Sequence, residues 1–274
     1  MHAIDRKDFN SDEDFNLALG KMYNDDANEY IRQSVLYGDN EFLFDENTLY
    51  PIIFDVIDSA AVFPAGLDYL MQDLETAKMI HRTGVNHVYD IGSRFEGFIT
   101  HLLAMEIRVT MLDIRPMDLS FEGFDFIQTD VMQGMNELED NSLETVTSLH
   151  AFEHFGLGRY GDPVDYNGWK KAIEAVKKKL AVGGRFYLGV PLAKKNMLCF
   201  NAHRYFHPAT IISAAVPDLT LESFSCIHGD RGFYRKYVVE QDSLENLNQI
   251  FDITEKFIER DNVGLFVFRK THLL

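Results

Sequence analysis

Short runs of hydrophobic residues alternate with amphipathic stretches through the middle of the chain. Apolar runs at 85–91, 107–112, 124–128, 143–149 and 185–190 predict strands, and apolar residues at helical spacing predict helices at 95–105 and 169–180. Because these strands are apolar along nearly their whole length, both of their faces are expected to be covered, as in a parallel sheet. The pattern therefore predicts an α/β fold with a doubly wound sheet.

The two ends of the chain depart from this alternation. The remaining predicted elements are a helix at about 66–81, a strand at 219–227, a helix at 243–259 and a strand at 264–269. Residues 1–80 are acidic at first, and no linker rich in proline, glycine or serine separates them from the rest. We predict a mostly parallel seven-stranded sheet with an antiparallel C-terminal strand. Residues 1–80 would form a helical cover within the same domain as residues 81–274.

Composition narrows the classes of partner. No apolar run approaches the roughly 20 residues that span a bilayer, and the acidic N-terminus lacks the features of a signal peptide, so we expect a cytoplasmic protein without a membrane partner. The net charge of −17 disfavours nucleic acid. Cys199 and Cys226 lack CxxC spacing, and His203 and His207 lack the glutamate of HExxH, so no metal is expected. The oligomeric state stays open, with a homodimer as one option.

A glycine turn follows the first strand of the alternating region. Gly92 and Gly97 have the spacing of the outer glycines in GxGxxG, and Arg94 stands in the place of the middle one. Asp113 ends the next strand about 20 residues later, where a carboxylate can accept hydrogen bonds from ribose hydroxyls. This arrangement is typical of nucleotide-binding folds.

Polar residues also follow the other strands. Asp90 ends the first strand, Asp130 follows the third, and His150 follows the fourth. Ligands in open α/β sheets bind at the carboxyl ends of the strands, so these side chains are expected to lie close together. An acid after the third strand is suited to an adenine amino group.

The glycine turn, the acids at Asp113 and Asp130 and the segment at His150 follow one another in the chain. Motifs in this order resemble those of the class I S-adenosylmethionine-dependent methyltransferases, and the resemblance extends over roughly 66–273. The resemblance includes the His-Ala-Phe-Glu-His segment at 150–154 and the Gly-Gly turn at 183–184. It implies S-adenosyl-L-methionine as cofactor and a Rossmann-like methyltransferase domain over 81–274. The stretch at 153–163, with the turn at 92–94, is similar to an uncharacterised branch of that superfamily. The cofactor-binding residues that the resemblance implies are Asp90, Gly92, Ser93, Arg94, Asp113, Ile114, Asp130, Val131 and His150.

Arg94 departs from the family pattern, which has glycine at this position. Its guanidinium would either pair with the carboxylate of the cofactor's methionine part or crowd it and abolish binding. The alternatives to a methyltransferase are therefore a non-catalytic S-adenosylmethionine-binding or assembly protein and, with less support, an NAD-dependent oxidoreductase, which shares the glycine turn and the ribose acid.

Catalysis is assigned to the segment after the fourth strand. His150, Glu153 and His154 are the predicted catalytic residues, with a histidine as general base; the other interpretation is that Glu153 and His154 only pin the following loop. The acceptor is predicted to be a small polar molecule, methylated on oxygen or nitrogen, with an anionic, sugar or nucleotide-linked group as an option. Its predicted contacts are Tyr69, Arg159, Tyr160, His203, Arg204, His207 and Arg231, and Gln72 shares a helix face with Tyr69.

Overall fold

A computed structural model gives the structure of residues 8–37, 67–200, 202–230, 233–240 and 262–272. The chain divides into two units, Met1–Val62 and Phe63–Leu274. In the first unit, helix α1 (Asp12–Tyr37) begins after Ser11, whose hydroxyl accepts a hydrogen bond from the backbone N–H of Asp14 at 3.1 Å. The helix predicted at 243–259 lies outside the described residues. Among the helices of the described ranges, none has the length and apolar character needed to cross a membrane.

The second unit is built on one large sheet. Its strands, together with a separate hairpin, are β1 (His87–Ile91), β2 (Arg108–Asp113), β3 (Phe124–Gln128), β4 (Leu143–Leu149), β5 (Leu180–Leu192), β6 (Met197–Cys199), β7 (His203–Tyr205), β8 (Leu219–Asp230), β9 (Phe233–Glu240) and β10 (Asn262–Lys270). The sheet has the order β3-β2-β1-β4-β5-β10-β8-β9, and β6 pairs with β7 alone. Strands β1 to β5 run parallel, whereas β10, β8 and β9 are joined by antiparallel pairing.

The predicted fold class is confirmed, with one strand more in the sheet than the seven predicted. The additional strand, β9, pairs antiparallel with residues 223–230 of β8. Phenylalanine, tyrosine and valine in β9 favour a strand, but Arg235 and Lys236 interrupt its apolar run, so the hydrophobic pattern did not identify it.

Helices cover both faces of the sheet. They are α2 (Leu67–Thr83), α3 (Thr100–Ala104), α4 (Gly168–Lys179) and α5 (Pro208–Ala215), and a π-helical turn (Phe95–Ile99) precedes α3. Ile80 and Leu102 belong to the buried cluster on one face, and Ile173 and Ile211 to the cluster on the other. Burial of both faces explains why the central strands are apolar without alternation.

The strand order reverses between β1 and β4. The chain proceeds outward from β1 through β2 to β3, and then returns to place β4 on the other side of β1. A crevice opens at the carboxyl ends of the strands at such a switch point, and this is where open α/β sheets bind ligands.

Candidate functional site

A cavity of about 390 Å³ lies at this switch point. Its volume falls within the range of roughly 300–1,000 Å³ that is typical of small-molecule sites. The predicted residues that line it are Tyr69, Gly92, Ser93, Arg94, Asp113, Ile114, Asp130, Val131, His150, His154 and Tyr160. The fold thus brings together at one cavity residues that are far apart in the sequence.

The glycine turn after β1 requires glycine at its first position. Gly92 has a φ of +68°, and a side chain there would place its Cβ 2.9 Å from the Cβ of Ala151. The N–H of Gly92 donates to the carbonyl of Leu112 at 2.9 Å. The turn therefore packs between the ends of β2 and β4 and forms the floor of the cavity.

Asp90 lies beneath this turn and does not line the cavity. Its carboxylate accepts hydrogen bonds from the Ser93 N–H at 3.1 Å, the Ser93 hydroxyl at 2.8 Å and the Thr147 hydroxyl at 2.6 Å. Complete burial raises the pKa of Asp90 to about 7, against the effect of these three donors. Asp90 thus holds the turn in shape from below.

Asp90→Asn is expected to change the pH dependence of stability. The folded-state pKa of about 7 exceeds the value of about 4 for an unfolded chain, so the folded state binds this proton more tightly. The resulting stability is present at low pH and is lost as the pH rises through about 7. Because asparagine does not titrate, the free energy of unfolding of the variant minus that of the wild type should increase between about pH 4 and 7 in urea titrations. A difference that stays constant would contradict this assignment.

Asp113, the predicted ribose ligand, is paired with a residue that the sequence analysis missed. One carboxylate oxygen, Oδ1, accepts from the Arg115 N–H at 2.8 Å and from Nε at 2.9 Å, and Oδ2 accepts from Nη2. The guanidinium also lies 4.8 Å from the ring centroid of Tyr160. Since a carboxylate offers about four acceptor positions, a ribose must use the remaining one or displace Arg115.

Asp130, which follows β3, is a second carboxylate at the cavity. Asp130 accepts a hydrogen bond from the N–H of Met132 at 3.0 Å and begins a short 3-10 turn. Val131 and Leu112 are buried at the cavity wall, and Ile114 lies beside them. This part of the cavity combines a carboxylate with apolar walls, which suits a flat heterocycle that carries an amino group.

Asp73 of α2 is a further acid at the cavity that was not predicted. Its Oδ2 accepts from the N–H of Phe98 at 3.1 Å, and a side chain at Gly97 would collide with this carboxylate. Burial is the largest influence on Asp73 and raises its pKa. Its position four residues after Tyr69, on the same helix face, is the only signal in the sequence, because the contact with residues 97 and 98 is made by the tertiary fold.

His150 lines the cavity and has a left-handed backbone conformation, with a φ of +59°. Its Nδ1 lies 2.9 Å from Oε1 of Glu153. A carboxylate only accepts, so Nδ1 donates, and Nε2 of the neutral ring is an acceptor. Nε2 is buried and has no hydrogen-bond partner among the residues that the structure describes. The ring packs 4.4 Å from that of Tyr69.

Glu153 joins the two predicted catalytic histidines. Burial opposes its ionisation, but His150 and His154 outweigh burial and hold the pKa of Glu153 below its usual value. Its Oε1 is 3.6 Å from Nε2 of His154, and Nδ1 of His154 lies 2.7 Å from the carbonyl of Ala202. Burial lowers the pKa of His154. Glu153 therefore orients His150, and His154 is held by the backbone of the β6–β7 hairpin.

Two of the arginines that were predicted to bind the acceptor donate hydrogen bonds to backbone carbonyls. Arg159 donates to the carbonyl oxygen of Ala202 at 2.7 Å, and Arg204 donates to that of Phe155 at 2.7 Å. Neither lines the cavity. They connect the segment after β4 to the β6–β7 hairpin, and their predicted contact with the acceptor stays a prediction.

Of the predicted basic residues farther along the chain, His203 and His207 do not line the cavity. His207 accepts from the N–H of Ala209 at 3.2 Å and caps α5, and His203 lies in β7. Arg231 lies outside the described residues. Within the described ranges, no group of three or more His, Cys, Asp or Glu side chains is placed to hold a metal ion.

Comparisons with known proteins agree with this geometry at the level of the fold. The model of a family described as "Caenorhabditis protein of unknown function, DUF268" matches residues 124–214, which is less than half of the chain. A search of the curated proteins found no match.

Solved structures of methyltransferases resemble this one at low sequence identity. A "putative sarcosine dimethylglycine methyltransferase" from Galdieria sulphuraria is 16% identical, with a TM-score of 0.50 over 75% of this chain and 87% of that one. The N-methyltransferase NodS from Bradyrhizobium japonicum, in complex with S-adenosyl-L-homocysteine, is 16% identical, with a TM-score of 0.49 over 78% and 94%. A methyltransferase from Archaeoglobus fulgidus is 17% identical, with a TM-score of 0.48 over 72% and 94%. The likeness to the Galdieria sulphuraria structure shows that this chain has the same fold.

Proposed function

We propose that this protein is an S-adenosylmethionine-dependent methyltransferase that acts on the oxygen or nitrogen of a small polar acceptor. The observation that carries the proposal is the His150–Glu153 pair at the wall of the cavity. A carboxylate orients the imidazole at 2.9 Å and leaves its buried Nε2 as an acceptor, which is the arrangement of a general base.

The charged groups of the cavity fit the cofactor. S-adenosylmethionine carries a carboxylate and an ammonium at one end and a ribose and an adenine at the other. Arg94 is suited to the carboxylate and Asp73 to the ammonium, whereas Asp113 would accept from the ribose and Asp130 from the adenine amino group. The cavity thus has the cation Arg94 and the anion Asp73 beside the glycine turn. It has a carboxylate at the end of β2 and another after β3.

The residues of this chain would supply proton transfer and orientation. Bound S-adenosylmethionine would supply an electrophilic methyl group. Nε2 of His150 would take the proton of the acceptor, and the Glu153 carboxylate would stabilise the resulting imidazolium. Tyr69 packs against the imidazole and restricts its movement. The net charge of −17 supports a small molecule over a nucleic acid as acceptor.

Arg94→Ala is expected to weaken the binding of S-adenosylhomocysteine about ten-fold, because a charge-assisted hydrogen bond contributes roughly 1.5–3 kcal/mol. Isothermal titration calorimetry measures this directly. Arg94→Lys, which keeps the charge but not the bidentate geometry, should lose less affinity for S-adenosylhomocysteine than Arg94→Ala does. Tighter binding by the alanine variant would show instead that Arg94 crowds the site.

Calorimetry with three ligands tests the proposed function as a whole. We expect S-adenosylmethionine and S-adenosylhomocysteine to bind with micromolar dissociation constants and NADH not to bind. Binding of NADH alone would support the oxidoreductase alternative, and the absence of binding by all three would overturn the proposal. Cofactor binding without methyl transfer to any acceptor would favour a non-catalytic protein.

A further inference from the structure

Two residues that line the cavity carry a buried hydrogen-bond acceptor. One acceptor is Nε2 of His150, and the other is Oε1 of Gln72, which is one helical turn after Tyr69 and only 1% exposed. Gln72 also lines the cavity. Neither acceptor atom has a hydrogen-bond partner among the described residues.

Gln72 and His150 both lie next to Gly189 of β5. A side chain on Gly189 of β5 would collide with Oε1 of Gln72, and the carbonyl of Gly189 accepts from the N–H of His150 at 2.9 Å. Nε2 of Gln72 donates to Oδ1 of Asp73 at 3.4 Å, which directs the amide nitrogen toward Asp73 and leaves the oxygen unpaired. Burying an acceptor without a donor is unfavourable, so a ligand that supplies donors would complete the site.

The number of hydrogen-bond donors on a molecule distinguishes between candidate methyl acceptors. A carboxylate or phosphate oxygen has no proton to donate, a hydroxyl has one, and an ammonium group has three. Two buried acceptors in residues of one cavity are therefore best satisfied by nitrogen. The Tyr69 ring beside His150 and the Glu153 carboxylate behind it also favour a cation, whereas Arg159 and Arg204 are occupied by backbone carbonyls.

From this pairing we propose that the acceptor is a small primary or secondary amine, which binds as its ammonium form between Gln72 and His150 and is methylated on nitrogen. This inference rests on the proposed function and replaces its anionic option. Gln72 acts as a residue that determines specificity.

Methyl transfer to the amine begins with the loss of a proton. An N–H proton of the ammonium moves to Nε2 of His150, which leaves a neutral amine with a free electron pair. That pair forms the new nitrogen–carbon bond while the bond between the methyl carbon and the sulfonium sulfur breaks, and the electrons of the broken bond stay on sulfur. The products are an N-methylammonium and S-adenosylhomocysteine, and the proton on His150 passes to solvent.

A matched ligand series tests the inference on the intact protein. Calorimetry first measures S-adenosylhomocysteine binding, and the saturated protein is then titrated with benzylamine, benzyl alcohol and benzoate, which share one skeleton. One additional hydrogen bond corresponds to roughly a ten-fold gain in affinity, so we expect benzylamine to bind at least about ten-fold more tightly than benzyl alcohol, and benzoate not to bind.

Two variants of α2 test whether Gln72 selects the amine. Gln72→Met keeps the length of the side chain without its acceptor, and it should reduce the preference for benzylamine about ten-fold. Met71→Leu, on the same helix but not at the cavity, should keep it. If S-adenosylhomocysteine binds but benzyl alcohol or benzoate binds as tightly as benzylamine, or none of the three binds, the amine assignment is overturned alone. If S-adenosylhomocysteine itself does not bind, the proposed function fails as well.

Discussion

His150→Asn is expected to lower kcat about 10²–10⁴-fold while leaving the binding of S-adenosylhomocysteine nearly unchanged. The variant removes the base, whose Nε2 lacks a partner in the described part of the chain. Asparagine is chosen because it tolerates the left-handed backbone, where φ is +59°, better than alanine does. The measurement is transfer of a labelled methyl group to the acceptor that gives the highest wild-type turnover, together with calorimetry.

One further variant and the pH profile of the His150 variant show whether the effect arises from proton transfer. Glu153→Gln keeps an oxygen to accept from Nδ1 of His150 but removes the charge, so kcat should fall by a smaller factor. In the His150 variant, the acid limb of the pH profile of kcat should disappear, a change that a purely structural role would not produce. An unchanged kcat, or a loss of cofactor affinity equal to the loss of kcat, would remove His150 from the catalytic step.

Asp113→Ala is expected to weaken the binding of S-adenosylhomocysteine about 100-fold, because the two ribose hydroxyls, once they displace the Arg115 side chain, would each donate to the carboxylate a hydrogen bond that contributes roughly 1.5–3 kcal/mol. The carboxylate is only 7% exposed and lies at the end of β2, where it lines the cavity. Calorimetry with S-adenosylhomocysteine gives the affinity, and thermal unfolding shows whether the variant remains folded.

The pairing of Asp113 with Arg115 requires its own control. Removal of the carboxylate also releases the guanidinium that lies over Tyr160. Arg115→Leu removes the same ion pair but keeps Asp113, so it should bind the cofactor far better than Asp113→Ala. Equal losses in the two variants would mean that the ion pair, not the ribose contact, explains the effect.

Local sequence signals predicted most of the second unit. The apolar runs identified β1, β3 and β4 to within a few residues, because a strand that is buried on both faces must be apolar along its length. Strand β9 was not predicted, since Arg235 and Lys236 interrupt its run of phenylalanine, tyrosine and valine residues. Arg115 was missed because a cation two residues after an acid is common in loops.

The sequence by itself determined the order of the elements and which positions follow each parallel strand. Gly92, Asp113, Asp130 and His150 could be grouped in advance, because all parallel strands end at the same edge of a sheet. Only the tertiary structure decided what each side chain does there. It buried Asp90 beneath the turn, brought Asp73 and Gln72 of α2 to the cavity, and used Arg159 and Arg204 to bind backbone carbonyls. Periodicity along a chain reports which face of an element is buried, whereas hydrogen-bond partners depend on packing between elements that are distant in sequence.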